Sequence, residues 1–363
     1  MVQRIREWIE IRTGISELVR SQLIGYMVPR NINIFYSLGI VAFVAYIIQA
    51  ITGIFLLIYY APHEDHAFKS IQLIMNTVPY GWLFRLMHVV GSNLMVAVVF
   101  LHMLSVFFLQ AYKKPRELTW VIGALMSLIT LTFCLSGYLL PWSQLSYWAT
   151  TIVTTMPTAF PVIGDFFTKL LRGGEQVSGV TLNRFFAVHV AFLPPLMLIL
   201  FGIHIFLVCR IGFSSPPFGK VIEERKEWKE FRPESYPDGH PFYPYFFSKE
   251  AFMIFLYFLA MFFIISFAPA LFLPADANTP ADPLNTPEHV RPEWYFLAPY
   301  QMFKLIPNKF LGIILQITLV ILFILWPFFD RLKENNILKR PRLLVLFLGV
   351  LSLWAVLTIW GSY

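Results

Sequence analysis

Four histidines lie inside apolar stretches of this chain and fall into two pairs, His88 with His102 and His189 with His204. An imidazole in hydrocarbon is costly unless a ring nitrogen is engaged, so an ionisable residue at that depth marks a functional site by default. Fourteen residues advance an α-helix by about 21 Å and return to nearly the same face. His88 and His102 therefore point the same way at two depths. The second pair is separated by fifteen residues, which leaves a rotation of roughly 60° uncorrected. Pro194 and Pro195 lie between them and can bend the helix so that the two faces meet.

Four imidazoles split across two depths cannot chelate one ion, and zinc or copper centres gather more ligands close together. The arrangement instead suits two stacked haems, each gripped by one histidine from each helix. Filling both axial positions of the iron favours electron transfer and excludes oxygen binding. Glycines give a second sign, because Gly39 with Gly53 and Gly123 with Gly137 repeat the fourteen-residue spacing on two other helices. A helical glycine costs about 1 kcal/mol relative to alanine and is best explained where another body approaches the backbone closely; a porphyrin edge at each level fits. Arg85 and Arg184 each precede a histidine by a few residues and are placed to pair with haem propionates.

The elements that must hold these residues follow from composition. Of 363 residues 57% are hydrophobic and only 13% charged, with mean hydropathy +0.64, which no soluble domain of this size shows. Apolar runs long enough to cross a bilayer, about 20 residues each, occur at Ile34 to Tyr60, Gly81 to Gln110, Leu118 to Leu140, Asn183 to Arg210, Glu250 to Phe272, Lys309 to Phe329 and Arg342 to Trp360. The fold class is thus an all-α integral membrane protein with seven transmembrane helices. A four-helix diheme bundle (31–211) precedes three C-terminal helices (250–363).

Loops near span ends carry excess Lys and Arg on the cytoplasmic side. With the N-terminus inside, 20 of the 28 Lys and Arg residues fall on the inner side. The odd helix count then puts Tyr363 outside. The net charge of +7 follows from this topology, so nucleic acid is not a partner. Residues 1–30 read as an amphipathic helix on the inner surface, since Ile5, Trp8, Ile9, Leu18 and Val19 alternate with Arg and Glu; they do not read as a cleaved signal. An inner linker, 212–249, carries both signs of charge between Glu223 and Glu234 and reads as a solvated face. The two cysteines, Cys134 and Cys209, offer neither a disulfide framework nor a CxxCH attachment site for haem.

Several stretches then resemble cytochrome b of the cytochrome bc complexes, the quinol:cytochrome c or plastocyanin oxidoreductases. They are Arg85-Leu86-Met87-His88 with Gly91, the run from Lys114 to Trp120, Gly137-Tyr138-Leu139-Leu140-Pro141-Trp142, Asn183-Arg184-Phe185-Phe186, and Pro292-Glu293-Trp294-Tyr295. The resemblance implies two non-covalent b-type haems, the outer one held by His88 and His189 and the inner one by His102 and His204. It also implies that the loop after the fifth span closes an outer quinol site. There Glu293 would accept a proton from the quinol, as a base must at hydrogen-bond reach of the hydroxyl. Tyr295 and part of the stretch from Pro141 to Trp148 would border the same pocket. At an inner quinone site, Lys249 and Glu250 stand where respiratory members have a Lys-Asp pair, and Cys209 stands where they have a histidine.

The fifteen-residue spacing, the Lys-Pro-Arg-Glu-Leu-Thr-Trp run and the three spans after the bundle are similar to the photosynthetic branch. That branch attaches an extra haem through a cysteine where this chain has Ser37, and a serine cannot form a thioether, so the covalent extra haem is expected to be absent. The fused seven-helix form implies a prokaryotic plasma membrane. The implied work is bifurcated quinol oxidation at the outer site, electron transfer across the membrane, and quinone reduction at the inner site, coupled to proton translocation. This chain has no Cys–His cluster for an iron–sulfur centre, so a Rieske iron–sulfur subunit and a c-type cytochrome or equivalent acceptor are implied partners, in a homodimeric complex that the chain alone cannot replace. Two other readings remain at this point: a diheme membrane anchor of a dehydrogenase or hydrogenase, and a transporter whose intramembrane histidines hold no cofactor.

Overall fold

The computed structural model describes residues 1–214, 236, 239–288 and 290–363. Two short helices come first, α1 (Val2–Thr13) and α2 (Ile15–Leu23). The single surface helix expected over 1–30 is therefore broken, because Gly14 takes a left-handed conformation, φ 57°, that ends one helix and starts the next. Every residue of α1 is at most half-buried.

Among the described residues, seven helices are long and apolar enough to span a membrane, as expected. The first span, Ile34–Leu57, opens with a 3₁₀ turn and continues as α3 (Leu38–Leu57). After α4 (Ala67–Asn76), α5 (Gly81–Phe108) is the second span and α6 (Glu117–Tyr138) the third. Two shorter helices, α7 (Gln144–Thr155) and α8 (Gly164–Arg172), lead to the fourth span, Gly179–Ile211, built from α9 (Gly179–Ala187), a π-turn at Val188–Phe192 and α10 (Leu193–Ile211). The fifth span, Phe242–Phe267, ends in α11 (Phe247–Phe267). Then come α12 (Trp294–Leu305), the sixth span α13 (Lys309–Phe329) and the seventh span α14 (Pro341–Gly361).

The second span is the centre of the molecule: 39% of its most apolar window is buried, against 6% for the seventh. Its residues Leu86, Val90 and Met95 join Val41, Ala45 and Tyr46 of the first span and Tyr257, Met261 and Ile265 of the fifth in one core cluster. Apolar side chains on the outer faces, such as Leu346 and Val350, remain exposed, as they must where the solvent is lipid.

The fifth span begins earlier than hydropathy alone suggests. The stretch Phe242–Phe246 winds towards it but is broken at Tyr243, whose φ −97° and ψ 131° are not helical, and the regular helix α11 starts at Phe247. Lys249 and Glu250 therefore sit inside the first turns, not at the border. Most of the expected linker, including Glu223 to Glu234, lies outside the described residues. What precedes the fifth span is tied back to the N-terminal segment, where Met27 and Val28 pair antiparallel with Pro241 and His240.

The loop between the fifth and sixth spans is stitched to the start of α7. Ser143, which caps α7 through its side chain, forms a bridge with Pro280. Gln144 accepts from the Asp282 amide at 2.7 Å, and Trp148 donates to the Asp282 carbonyl at 3.2 Å. This fixes one end of the loop against the bundle. The other end runs into α12.

Candidate functional site

Each of the four histidines lies against one of the four spaced glycines. An added Cβ would fall 3.3 Å from His88 Cε1 at Gly53, 2.6 Å from His189 Cε1 at Gly137, 3.3 Å from His102 Cε1 at Gly39 and 3.2 Å from His204 Cε1 at Gly123. The glycines of the first and third spans thus make room for the imidazoles of the second and fourth spans themselves, where the spacing alone suggests a porphyrin edge. The matching also sorts the histidines by depth, since Gly53 and Gly137 lie near the C-terminal ends of the first and third spans and Gly39 and Gly123 towards their N-terminal ends.

His88 and His189 face each other with ring centroids 6.4 Å apart. Two metal–imidazole bonds of about 2 Å each, plus the half-widths of two rings at about 1 Å each, come to about 6 Å, so one metal ion between the rings is accommodated. His102 and His204 are near enough to interact electrostatically. Among the described residues, no group of three or more His, Cys, Asp or Glu could hold a metal ion. Two imidazoles across a gap of this size fit a metal whose remaining ligands come with it, as haem iron would.

The fifteen-residue spacing is absorbed by the π-turn at Val188–Phe192, which includes His189. Pro194 and Pro195 have no N–H to offer the carbonyls one turn earlier. A π-turn takes in one extra residue per turn, so the span behaves as a fourteen-residue repeat with an insertion. The prolines act through this insertion, and Tyr46 donates to the Pro194 carbonyl at 2.9 Å beside it.

The two arginines differ. Arg85 is 3% exposed, and one of its terminal nitrogens has no hydrogen-bond partner among the described residues. A buried cation with an unmet donor suits an anionic group such as a carboxylate. Arg184 is exposed and already donates to the Leu170 carbonyl.

Glu293 stands at the N-terminus of α12 without capping it. Its carboxylate accepts from the Tyr138 hydroxyl at the end of the third span, while burial, the larger influence, pushes its pKa up. Tyr295 is 4% exposed, its hydroxyl meets the Cys134 thiol, and burial raises its pKa well above the usual phenol range. Between them Trp294 donates its indole N–H to the buried Asn93 of the second span at 3.0 Å. The motif is thus fixed to the second and third spans at once. Tyr138 belongs to a motif that the sequence singles out, but nothing there shows that it faces Glu293, because the contact joins residues 155 positions apart.

At the inner end, Lys249 donates to the Ile32 carbonyl at 2.7 Å. Half-buried Glu250 lies within electrostatic range of Tyr26, as does Cys209. Ser37 is fully buried in the turn that opens the first span.

Comparison with known proteins agrees with this geometry. The family model described as "Cytochrome b/b6/petB" matches residues 23–212, and "Cytochrome b(C-terminal)/b6/petD" matches 280–363. Cytochrome b of Rhodospirillum rubrum is 36% identical over 92% of this chain and 80% of its own length. Cytochrome b of Rickettsia prowazekii is 37% identical over 93% and 81%. A solved structure titled "Hyperthermophilic respiratory Complex III" superimposes with a TM-score of 0.90 at 38% identity, covering 98% of this chain and 91% of that one.

Proposed function

The chain belongs to the cytochrome b family, and from that premise we propose that it is the diheme subunit of a quinol-oxidising, complex III-type assembly in a prokaryotic plasma membrane. Family membership carries b-type haem binding. His88 with His189 would hold the outer haem and His102 with His204 the inner one, both without covalent attachment, since Ser37 cannot form a thioether. Arg85 would receive a propionate of the outer haem through its unmet donor. When bound, the haems supply one-electron conduction between the two faces of the membrane, which couples outer quinol oxidation to inner quinone reduction.

At the outer site Glu293 takes a proton from the quinol hydroxyl while ionised, and Tyr138 holds the carboxylate in place by its hydrogen bond. Tyr295 and the stitched loop from Ser143 to Trp148 wall the pocket. At the inner site the Lys249 ammonium is held by the Ile32 carbonyl, which leaves Glu250 as the side chain free to deliver a proton to quinone. One electron of each outer quinol must leave on the high-potential side. An iron–sulfur subunit of Rieske type and a c-type cytochrome or equivalent acceptor are therefore the partners proposed, within a homodimeric complex.

The observation that carries this reading is the facing of His88 and His189 at 6.4 Å, with a glycine behind every one of the four imidazoles. A transporter would have no use for that arrangement, and a simple diheme anchor would not need the fixed Glu293 loop. The test is a reduced-minus-oxidised visible spectrum of the complex purified from its own membranes, alongside the His204→Leu variant. Two b-type α-bands are expected in the parent and the loss of one in the variant; a colourless preparation overturns the proposal.

A further inference from the structure

The two histidine pairs are not held alike. Thr52 donates its hydroxyl proton to the Ile48 carbonyl at 2.7 Å, so its oxygen must accept from Nδ1–H of His88, 2.9 Å away. His189 Nδ1 lies 3.1 Å from the Phe133 carbonyl, which can only accept, and 3.1 Å from Ser136 Oγ. Ser136 in turn spends its proton on the Thr132 carbonyl at 2.8 Å. Both outer imidazoles are thereby fixed as Nδ1–H tautomers that present the Nε2 lone pair to the site.

The inner pair has no hydroxyl partner among the described residues. Nδ1 of His102 is buried and unpaired among the described residues, and Nδ1 of His204 meets the Thr119 backbone carbonyl only, off the geometry of a full hydrogen bond. The difference is written in the sequence. Each outer glycine follows a hydroxyl residue, Thr52-Gly53 and Ser136-Gly137, while each inner one follows an aliphatic residue, Leu38-Gly39 and Ile122-Gly123.

We propose that the hydroxyls of Thr52 and Ser136 are positioning residues that lower the reduction potential of the outer haem relative to the inner one. A hydrogen bond accepted from the far nitrogen of a ligating imidazole makes that ligand a stronger donor. A stronger axial donor stabilises the ferric more than the ferrous state and lowers the potential. The hydroxyls therefore bias an electron at the outer level towards the inner one. This inference rests on the diheme reading above.

The test is spectroelectrochemistry of the intact complex carrying Thr52→Val, Ser136→Ala, or both. In Thr52→Val the ferrous-to-ferric ratio of the outer haem at fixed potential should rise up to about tenfold, equivalent to about 59 mV for one electron. The inner haem should stay where it was. Ser136→Ala should move the outer haem in the same direction, each histidine keeping a carbonyl partner, Gln49 for His88 and Phe133 for His189, and Thr52→Ser, which keeps the hydroxyl, should restore the parent value. Potentials unmoved in both single variants, or moved equally in both haems, overturn the inference. If Thr52→Val does not assemble, Ser136→Ala and Thr52→Ser decide it by the same criteria. A parent complex without two b-type bands would instead sink the diheme reading itself.

Discussion

A carboxyl that takes a proton from quinol works only while ionised, and the surroundings of Glu293 oppose ionisation. Burial raises its pKa, and the Tyr138 hydrogen bond offsets only part of that. Quinol oxidation should therefore speed up as pH rises through a value above the ordinary 4.5, because the neutral acid present below it cannot accept a proton. Glu293→Gln should remove this limb from the pH–rate profile and slow turnover by about a hundredfold, the lower end of what a positioned proton acceptor contributes. Both haem bands should be retained; steady-state rates against pH check this, and an unchanged profile would refute the role given to Glu293. The first histidine pair is legible in the sequence, because the fourteen-residue spacing of His88 and His102 fixes a face without knowledge of neighbouring helices, whereas the fifteen-residue spacing of His189 and His204 does not. Tyr138, Thr52 and Ser136 are not legible in the same way. Their roles come from contacts between helices, which spacing along one chain does not report.

The seven spans follow from hydropathy alone, since a bilayer sets their length. What periodicity misses are departures from 3.6 residues per turn and short helices lying outside the spans. The π-turn around His189 is the clearest case: two prolines are visible in the sequence, but the inserted residue they permit is not. α12 is another, a helix of twelve residues too short to be recognised by length, with Pro299 inside it. Its position depends on Trp294, whose indole bonds Asn93 at 3.0 Å and whose ring packs 6.3 Å from Phe100. Trp294→Phe keeps most of the packing but leaves the buried Asn93 oxygen without its donor, at a cost of about 1–3 kcal/mol. Glu293 and Tyr295 flank that residue, so the outer site should loosen before the haem sites do. The expected result is a higher KM for quinol and a lower melting temperature, with unaltered haem spectra. An unchanged KM in an otherwise less stable complex would show that the bond matters for folding only.

Among the seven spans the last is the least enclosed, and a polar cluster at one end of the molecule ties the last two spans to the four-helix bundle. Arg340, at the start of the seventh span, grips Asp330, at the end of the sixth, with two bonds of 2.7 and 2.6 Å. Their side chains are only 9% and 3% exposed. The loop after the second span closes on this pair: Tyr112 donates to Asp330 at 2.6 Å, Gln110 accepts from Arg340 at 2.6 Å, and Lys113 donates to the Glu334 carbonyl at 2.7 Å. Charge counting places these cations on the inner side but says nothing of their burial, which arises only when two distant loops meet. Removing one member of a buried pair strands the other and costs about 3–5 kcal/mol. Asp330→Asn or Arg340→Ala should therefore lower the thermal inactivation temperature sharply, whereas replacing both with apolar residues of similar size should cost less than either change alone. The cluster also predicts acid sensitivity. Burial works against ionisation of Asp330, but hydrogen bonds from Arg340 and Tyr112 outweigh it and hold its pKa below the usual 3.8. For a depressed carboxyl the stabilisation is complete above the unfolded value and is lost as pH falls through the folded one. Thermal inactivation of the parent complex should accordingly steepen as pH drops through that range, and in Asp330→Asn this acid limb should be smaller; equal acid limbs in the two would show that the pair does not hold the last spans in place.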